Sequence, residues 1–527
     1  MIYLIMRSFI KRHWAFLIFL LILIIASALM ILPTLNYNFP FTMDQGHDIL
    51  DLREMIIGKH LLLIGPPTSI LGLYHGPFWY YLMALPFVLS GGNPAALVYT
   101  VIIFYILGGL SLWFFNYKKN TPFALASSAL FLLSPGLLYQ ARYALNSNLM
   151  PVFTIFYFLS LITALDKPKL YKFLFLGIFS GILLQIEAGF GIVFFPFTFI
   201  MLLIKRVKFR EIVFSIVGFG VTLFPQFIFE LRHGFNMTKS AIAALTGAST
   251  DLGSSLTFLQ TVKLHLGSYD FVVSRSLALP QIFIYLILIA GAIYMAWKLR
   301  KKSADKSSKT YFQLSISFLI FVFLFYLLYT HPLKGWFLNS LYIPFIFIVA
   351  SFFSDLMLLK NKLVKAVSLL ILVYVLFASV RVHSTFIDLP GKRISGDPSN
   401  FRNELTAINL IYEKAGGQAF KVYDYIPSVL DYPYQYLFWW YGAKNYGYHP
   451  QNITYLDNVP EYIANNDVFF TKRLAESKDP RIFLLIEPDN EMPERRAAWL
   501  GNFSKYCTIS SQKFGWGTEV REITKCK

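Results

Sequence analysis

An uncharged apolar run, WAFLIFLLILIIASALMIL, extends from Trp14 to Leu32. A helix needs about 20 apolar residues to cross the hydrocarbon core of a bilayer, and this run is nearly that long. The bases Arg7, Lys11 and Arg12 precede it, as in a secretory signal peptide, but it lacks a clear small-residue cleavage site. We therefore predict a retained first membrane-spanning helix.

The composition of the whole chain extends this prediction. Of the 527 residues, 56% are hydrophobic and 14% are charged, whereas soluble domains average about 25% charged residues. Eleven apolar runs are predicted to span the membrane: 14–32, 94–115, 121–140, 149–165, 172–186, 190–204, 212–230, 280–298, 311–330, 337–358 and 364–383. The fold class is therefore an α-helical polytopic membrane protein.

The net charge of +18 lies on alternate loops, in clusters near 7–12, 118–119, 167–172, 205–210, 298–309 and 360–365. This positive-inside pattern predicts that the N-terminus lies in the cytoplasm and the C-terminus outside. We expect the protein to lie in the plasma (inner) membrane. The pattern also explains the charge without a nucleic-acid partner. If the apolar segment 74–90 crossed the membrane, every later basic loop would lie on the outer side. We therefore predict a juxtamembrane or re-entrant helix there, broken by Pro77 and Pro86.

Two domains are expected. Residues 1–383 form the transmembrane module, with long outer loops at about 33–93 and 231–279, and residues 384–527 form an extracytoplasmic α/β domain. In that domain the patterns predict a helix near 401–414, a strand near 420–425, an aromatic helix around 434–441, a strand at 481–486, a helix near 493–500 and a hairpin turning at 515–517. In such a hairpin Cys507 and Cys526 lie at equal distances from the turn. A disulfide and two reduced thiols both fit that arrangement.

The first outer loop contains FPFTMDQGHDILDL, residues 39–52. Thr42 and Gln45 match a capping box, which predicts a helix from residue 43. One face of that helix carries titratable groups, namely Asp44, His47, Asp48 and Asp51, and the other carries Ile49, Leu52 and Ile56. We expect an amphipathic helix lying on the membrane with its polar face away from lipid, although a merely solvated face gives the same pattern.

Other polar groups lie at the predicted outer ends of spans: Arg142, Asn146, Gln185, Glu187, Glu230, Arg232, His233 and Lys334. A charge in hydrocarbon costs roughly 3 kcal/mol and much less at an interface, so anchoring or a Glu230–Arg232 salt bridge is an alternative explanation. Because all of them are predicted on the same side as Asp44, we expect a cavity at the outer leaflet holding carboxylates and cations. In the segment GLYHGPFWYYL, residues 72–82, Tyr74 and His75 are further candidates for this cavity. Alternatively, its aromatic side chains form an interfacial belt.

This order of parts resembles the GT-C superfamily of membrane glycosyltransferases, and more closely the protein O-mannosyltransferase and aminoarabinose transferase relatives (the RgtA/B/C/D-like group). The features that match are Asp44 after the first span, HGPFWYYL at 75–82, GGNP at 91–94, and Arg142 followed by Asn146. Two positions depart from the family pattern, since Gln45 replaces the Glu of an Asp-Glu pair and Gly76 replaces the first Pro of His-Pro-Pro. The resemblance covers roughly residues 10–380.

The resemblance implies a polyprenyl-phosphate sugar donor and inverting transfer to a hydroxyl of a lipid, glycan or protein acceptor. Asp44 would then be the general base, with Asp48 as the other candidate. The departing phosphate needs cations, for which Arg142, Arg232, His233 and Lys334 are available, with the two arginines preferred. The remaining predicted substrate-binding residues are His47, Tyr74, His75 and Glu230.

No cofactor is required by any motif. Asp44, Asp48 and His47 could hold a divalent cation, although no spacing demands one. A polytopic transporter or lipid flippase is the alternative function, and it would favour matching halves with charges near the bilayer midplane. The aromatic run from Tyr432 to Tyr441 either offers rings to sugars or is a buried helix.

Overall fold

The computed structural model describes residues 2–245, 256–302, 305–329, 331, 333–387, 395–457, 459, 462–463 and 477–526. Its helices are α1 Ile2–Leu35, α2 Met43–Ile57, α3 Phe78–Ser90, α4 Pro94–Asn116, α5 Thr121–Leu132, α6 Pro135–Ala141, α7 Met150–Asp166, α8 Leu170–Ile186, α9 Ala188–Gly191, α10 Phe194–Ile204, α11 Phe209–Thr222, α12 Phe224–Arg232, α13 Asn236–Leu245, α14 Phe258–Ser276, α15 Gln281–Arg300, α16 Lys306–Tyr326, α17 Tyr342–Leu358, α18 Lys362–Ser384, α19 Phe401–Ala415, α20 Tyr432–Tyr446 and α21 Pro493–Gly501. The strands are β1 Phe420–Tyr425, β2 Asn452–Thr454, β3 Arg481–Ile486, β4 Tyr506–Lys513 and β5 Glu519–Lys525.

The chain forms two compact units. The first unit comprises Met1–Ile31, Leu62–Leu82 and Tyr99–Ile387, and the second comprises Leu32–Leu61, Met83–Val98 and Asp388–Lys527. Two segments from the first part of the chain, which include α2 and most of α3, therefore belong to the same unit as the tail. The domain boundary between residues 383 and 384 stays a prediction.

The apolar helices confirm the fold class. Within the described residues, seven helices are long and apolar enough to cross a membrane, or up to nine if two bent pairs are each one span. The pairs α5–α6 and α11–α12 bend by 58° and 60°, and each second helix has a proline in its first turn, at Pro135 and Pro225, where the missing N–H costs nothing. The chain is thus an integral membrane protein. The count of eleven spans stays a prediction, because the runs predicted at 172–186 and 190–204 correspond to shorter apolar helices.

Glycines bring α8 and α11 into close contact in the first unit. A Cβ on Gly177 would lie 1.9 Å from the Ser215 carbonyl oxygen, and one on Gly218 would lie 2.1 Å from that of Leu174. Only glycine fits at such distances, and small residues of this kind let apolar helices pack backbone to backbone. This packing fixes the C-terminal half of α8, which ends near Gln185 and Glu187.

The second unit contains a five-stranded sheet in the order β2-β1-β3-β5-β4. Strand β1 is parallel to β2 and β3, whereas β5 is antiparallel to both β3 and β4. The helices and strands predicted for the tail are confirmed, and the short strand β2 was not predicted. Buried side chains around Tyr425, Ile486 and Trp499 form part of its core.

The hairpin of β4 and β5 carries a disulfide between Cys507 and Cys526, so of the two arrangements left open by the sequence the oxidised one is present. The two cysteines are not directly opposite each other. A register shift between Thr508 and Ser510 accompanies a pairing of Cys507 with Thr524, so the bridge runs diagonally across the hairpin.

Candidate functional site

The helix α2 begins at Met43, as the capping pattern predicts, and the Thr42 amide donates a hydrogen bond of 3.0 Å to Gln45 Oε1. Within the second unit α2 packs against α20. A Cβ on Gly46 would lie 2.5 Å from the backbone nitrogen of Pro433, which explains the glycine in mid-helix. The Arg53 guanidinium lies 4.3 Å from the ring centroid of Trp439.

This packing corrects one expectation about α2. Ile49 and Leu52, predicted to face lipid, are at most 1% exposed and lie inside the protein. The helix is therefore a packed element of the second unit at these positions, and these side chains do not lie on a membrane surface.

The titratable stripe on α2 is present. Asp44 is exposed, His47 is half-buried and Asp48 is buried. The Nδ1 atom of His47 lies 3.4 Å from Asp48 Oδ1 and 3.8 Å from Asp51 Oδ2. The imidazole thus bridges two carboxyl groups one turn apart.

The environment gives the groups of this stripe different protonation behaviour. Burial raises the pKa of Asp48 to about 6, even though the hydrogen bond from His47 opposes this shift. Burial disfavours the imidazolium of His47, but the hydrogen bond to Asp48 and the charges of Asp51, Asp48 and Asp44 raise its pKa above the usual value. Asp48 Oδ2 is buried and has no hydrogen-bond partner among the described residues.

His75 and Glu187 meet in the first unit. The Nδ1 atom of His75 accepts a hydrogen bond of 3.0 Å from the Ala188 amide, and its Nε2 atom lies 3.9 Å from Glu187 Oε2. Burial lowers the pKa of His75 to about 4 and raises that of Glu187 to about 8. At neutral pH both side chains are therefore mainly uncharged, and their contact is not an ion pair.

Further polar groups that the sequence analysis did not predict lie near the break between α8 and α9. The Tyr326 hydroxyl donates to the Gly189 carbonyl, and the Tyr326 ring lies 6.3 Å from that of His265. His265 Nε2 is 3.4 Å from the His331 carbonyl oxygen. In the described part of the chain, Nδ1 of both histidines is buried without a partner. Because these residues are far apart in sequence and within apolar surroundings, no spacing could have predicted the cluster.

Arg142 is a buried cation in the first unit. It follows α6, is 4% exposed, and its Nε atom donates a hydrogen bond of 3.4 Å to the Leu138 carbonyl. Its guanidinium lies 4.4 Å from the ring centroid of Phe386. Burial lowers its pKa to about 10, so it stays charged at neutral pH. Among the described residues no carboxylate forms an ion pair with it.

Glu230 has a structural role in the first unit. Its carboxylate accepts hydrogen bonds from the amides of Met237 and Thr238, at 2.8 and 2.9 Å, and from the Thr238 hydroxyl. It therefore caps the N-terminus of α13. The alternative salt bridge with Arg232 is not formed.

The other predicted cations of the first unit are exposed. His233 stacks on Phe229 with ring centroids 4.0 Å apart, and Lys334 Nζ lies 5.2 Å from the ring of Trp336. The rings of Tyr74 and Phe229 pack edge to face, with their centroids 6.3 Å apart. Arg142 and Arg232, which the sequence favours equally as phosphate ligands, thus differ in that the first is buried and the second is exposed.

The donor set for a metal ion is incomplete. Within the described residues, no group of three or more His, Cys, Asp or Glu side chains has an arrangement that could hold one. Asp44, His47 and Asp48 share a helix face without forming such a group, and we derive no step through a metal.

Solved structures of two other proteins have a similar fold along nearly the whole of this chain. The chain is similar to ArnT from Cupriavidus metallidurans, in its complex with undecaprenyl phosphate (TM-score 0.53) and in its apo state (TM-score 0.55), with 12% identity over 97% of this chain and 98% of that one. It is also similar to the Archaeoglobus fulgidus oligosaccharyltransferase in complex with zinc and sulfate, with TM-score 0.51 and 12% identity over 96% of this chain and 72% of that one. No protein-family model and no curated protein matches the sequence. At these identities the likeness shows the fold, and it confirms the resemblance noted in the sequence at that level.

Proposed function

We propose that this chain is a membrane glycosyltransferase that moves a sugar from a polyprenyl-phosphate donor to an acceptor hydroxyl at the outer face of the plasma (inner) membrane. The observation that carries the proposal is the fold shared with ArnT along nearly the whole of both chains. One of the ArnT structures contains undecaprenyl phosphate, which is the leaving group that such a donor would release. The acceptor class, whether lipid, glycan or protein, is left open.

Arg142 is the residue we assign to the donor phosphate. A buried guanidinium without a carboxylate is costly, and a phosphate oxygen would supply the missing charge through short, charge-assisted hydrogen bonds. Such a cation stabilises the negative charge that grows on the phosphate as its bond to the sugar breaks. Arg232, His233 and Lys334 are exposed, so we give them a secondary part in attracting the donor.

Asp44 is the proposed general base. It is exposed on the first turn of α2, where an acceptor can reach it, whereas Asp48 is buried and hydrogen-bonded to His47. Asp44 takes the proton of the acceptor hydroxyl as its oxygen attacks the anomeric carbon. The bond from that carbon to the phosphate oxygen breaks, polyprenyl phosphate leaves, and a single displacement inverts the anomeric centre. A base of this kind contributes on the order of 10²–10⁴-fold to the rate.

The test is a transfer assay with purified protein, a radiolabelled polyprenyl-phosphate sugar and an extract of envelope acceptors. Asp44→Asn is expected to abolish transfer without altering expression or melting temperature. Asp51→Asn, on the same helix, is the matched control and should retain most activity. Full turnover in Asp44→Asn together with its loss in Asp48→Asn would move the base to Asp48, and turnover in both variants would remove the base from this helix.

One observation favours the alternative of a transporter or lipid flippase. The two helix pairs bent by 58° and 60° are broken helices of the kind that line transporter sites. Flux of a polyprenyl-phosphate sugar across proteoliposomes without acceptor would establish this activity. Transfer to acceptor in detergent, where no flux can occur, would establish the glycosyltransferase.

A further inference from the structure

A cavity of about 700 Å³ lies wholly within the second unit. Its lining includes Glu404 from α19, Tyr434 from α20, Glu487 after β3, and Lys513 and Trp516 from the β4–β5 hairpin. Cavities of 300–1,000 Å³ are typical of sites for small organic ligands. This volume is far larger than a single metal ion requires and would hold one or two sugar rings.

Two side chains that line the cavity each have a buried polar atom without a partner among the described residues. Glu404 is 2% exposed and its Oε2 atom accepts no hydrogen bond, and Trp516 is 7% exposed and its Nε1–H donates none. A neighbouring acceptor is already used, since Glu487 Oε1 accepts a hydrogen bond of 2.7 Å from the Tyr434 hydroxyl. Unpaired buried polar groups cost free energy, so a ligand that satisfies them gains affinity.

The two orphaned atoms differ in kind. A carboxyl oxygen accepts, or donates when it carries a proton, an indole N–H only donates, and a ligand hydroxyl group can bind both. Burial and the nearby Glu487 and Asp397 raise the pKa of Glu404 well above its usual value, and burial raises that of Glu487 to about 7. At neutral pH the lining is therefore less anionic than its composition implies, which suits a neutral polyhydroxylated ligand.

The cavity adjoins the beginning of α2. Thr42 and Met43 belong to its lining, and they directly precede Asp44. We propose that this cavity binds a saccharide ring, through Glu404 and Trp516, as the part of the acceptor held next to the base. The assignment to the acceptor rests on the proposed function, whereas saccharide binding stands on the cavity itself.

The experiment uses the full chain in phospholipid nanodiscs prepared without glycoside detergents. Saturation-transfer NMR is recorded with methyl glycosides of glucose, galactose, mannose and N-acetylglucosamine, and with putrescine as a cation that lacks ring hydroxyls. We expect at least one glycoside to bind, and Glu404→Gln and Trp516→Phe each to weaken it about tenfold. Glu491→Gln, an exposed acid of the same unit, should leave binding unchanged, and melting temperatures verify folding.

Binding of putrescine without any glycoside, binding of none of the probes, or glycoside binding that is insensitive to both substitutions would overturn the inference. The same glycoside attached to a lipid in the nanodisc distinguishes the sources, since tighter binding indicates a glycolipid head group and equal binding a free saccharide. Transfer is measured separately. Glycoside binding in a protein without transfer would reject the proposed function and leave this site standing, whereas transfer unaffected by Glu404→Gln and Trp516→Phe at low acceptor concentration would reject the acceptor role alone.

Discussion

The Nδ1 atom of His47 lies 3.4 Å from Oδ1 of Asp48 on α2, the helix whose first turn carries the proposed base. Asp48 is buried while Asp44, one turn earlier, is exposed. Asp44 and Asp48 therefore differ in what they can contact, although both lie on the same face of the helix. The exposed one can meet a substrate, and the buried one holds the imidazole in place.

The burial of Asp48 predicts a pH dependence of stability. Its pKa is raised from 3.8 to about 6 on folding, so the contribution is full below pH 4 and is lost as the pH rises through 6. The raised pKa of His47 acts in the same direction. Asp48→Asn should therefore raise the stability at pH 7.5 by up to ~3 kcal/mol and leave it nearly unchanged at pH 4.

Thermal unfolding of the two proteins in detergent at several pH values checks this prediction. Asp51→Asn, whose side chain is 45% exposed, is the control and should shift the melting temperature little at any pH. A melting temperature of Asp48→Asn that lies below the wild type at pH 7.5 would show that the hydrogen bond to His47 outweighs the cost of burial.

Glu230 should act on local structure. Glu230→Gln weakens the hydrogen bonds to the Met237 and Thr238 amides, and loss of such a cap costs about 1 kcal/mol. Hydrogen-exchange mass spectrometry should then show faster exchange in peptides from α13. Arg232→Gln tests the salt-bridge alternative, because it would produce the same change only if the two side chains were paired.

The disulfide predicts a specific loss of stability in the second unit. The bridged residues are 19 apart in sequence, and in the chain-entropy model a loop of this size is worth about 3 kcal/mol. Replacing Cys507 and Cys526 together by Ser should lower the urea concentration needed to unfold β4 and β5, which is measured by hydrogen exchange of peptides from these two strands. Dithiothreitol should lower the wild type to the same value and leave the double variant unchanged.

Much of the fold was readable from sequence because its signals are local. The capping pattern of Thr42 and Gln45 placed the start of α2, and alternating or apolar runs placed the helices and strands of the tail. The strand β2 was missed because Asn452–Thr454 is too short for any pattern. The bends after Leu132 and Thr222 were also missed, since a proline inside an apolar run does not reveal how the chain turns.

The site was less accessible to sequence reasoning because its contacts are long-range. Asp44 and Arg142 could be selected by type and position, but their different exposure depends on residues distant in the chain. The packing of Gly46 against Pro433 joins positions almost 400 residues apart. For the same reason the pairing of His75 with Ala188 and the orphaned atoms of Glu404 and Trp516 emerge only in three dimensions.

The contrast between Arg142 and Arg232 gives the sharpest test of the donor site. Arg142 is 4% exposed, whereas Arg232 is exposed and ends α12. If the donor phosphate binds Arg142, then Arg142→Gln should raise the KM for the polyprenyl-phosphate sugar at least about tenfold, since charge-assisted hydrogen bonds to a buried group are worth about 1.5–3 kcal/mol. Arg142→Lys should recover only part of this loss, because an ammonium cannot bind two phosphate oxygens in parallel.

Arg232→Gln should change KM less than about threefold at 0.15 M salt, where exposed charges are screened. Initial rates over a range of donor concentrations measure all three variants, and equal effects of Arg142→Gln and Arg232→Gln would remove the basis for assigning the phosphate to the buried arginine.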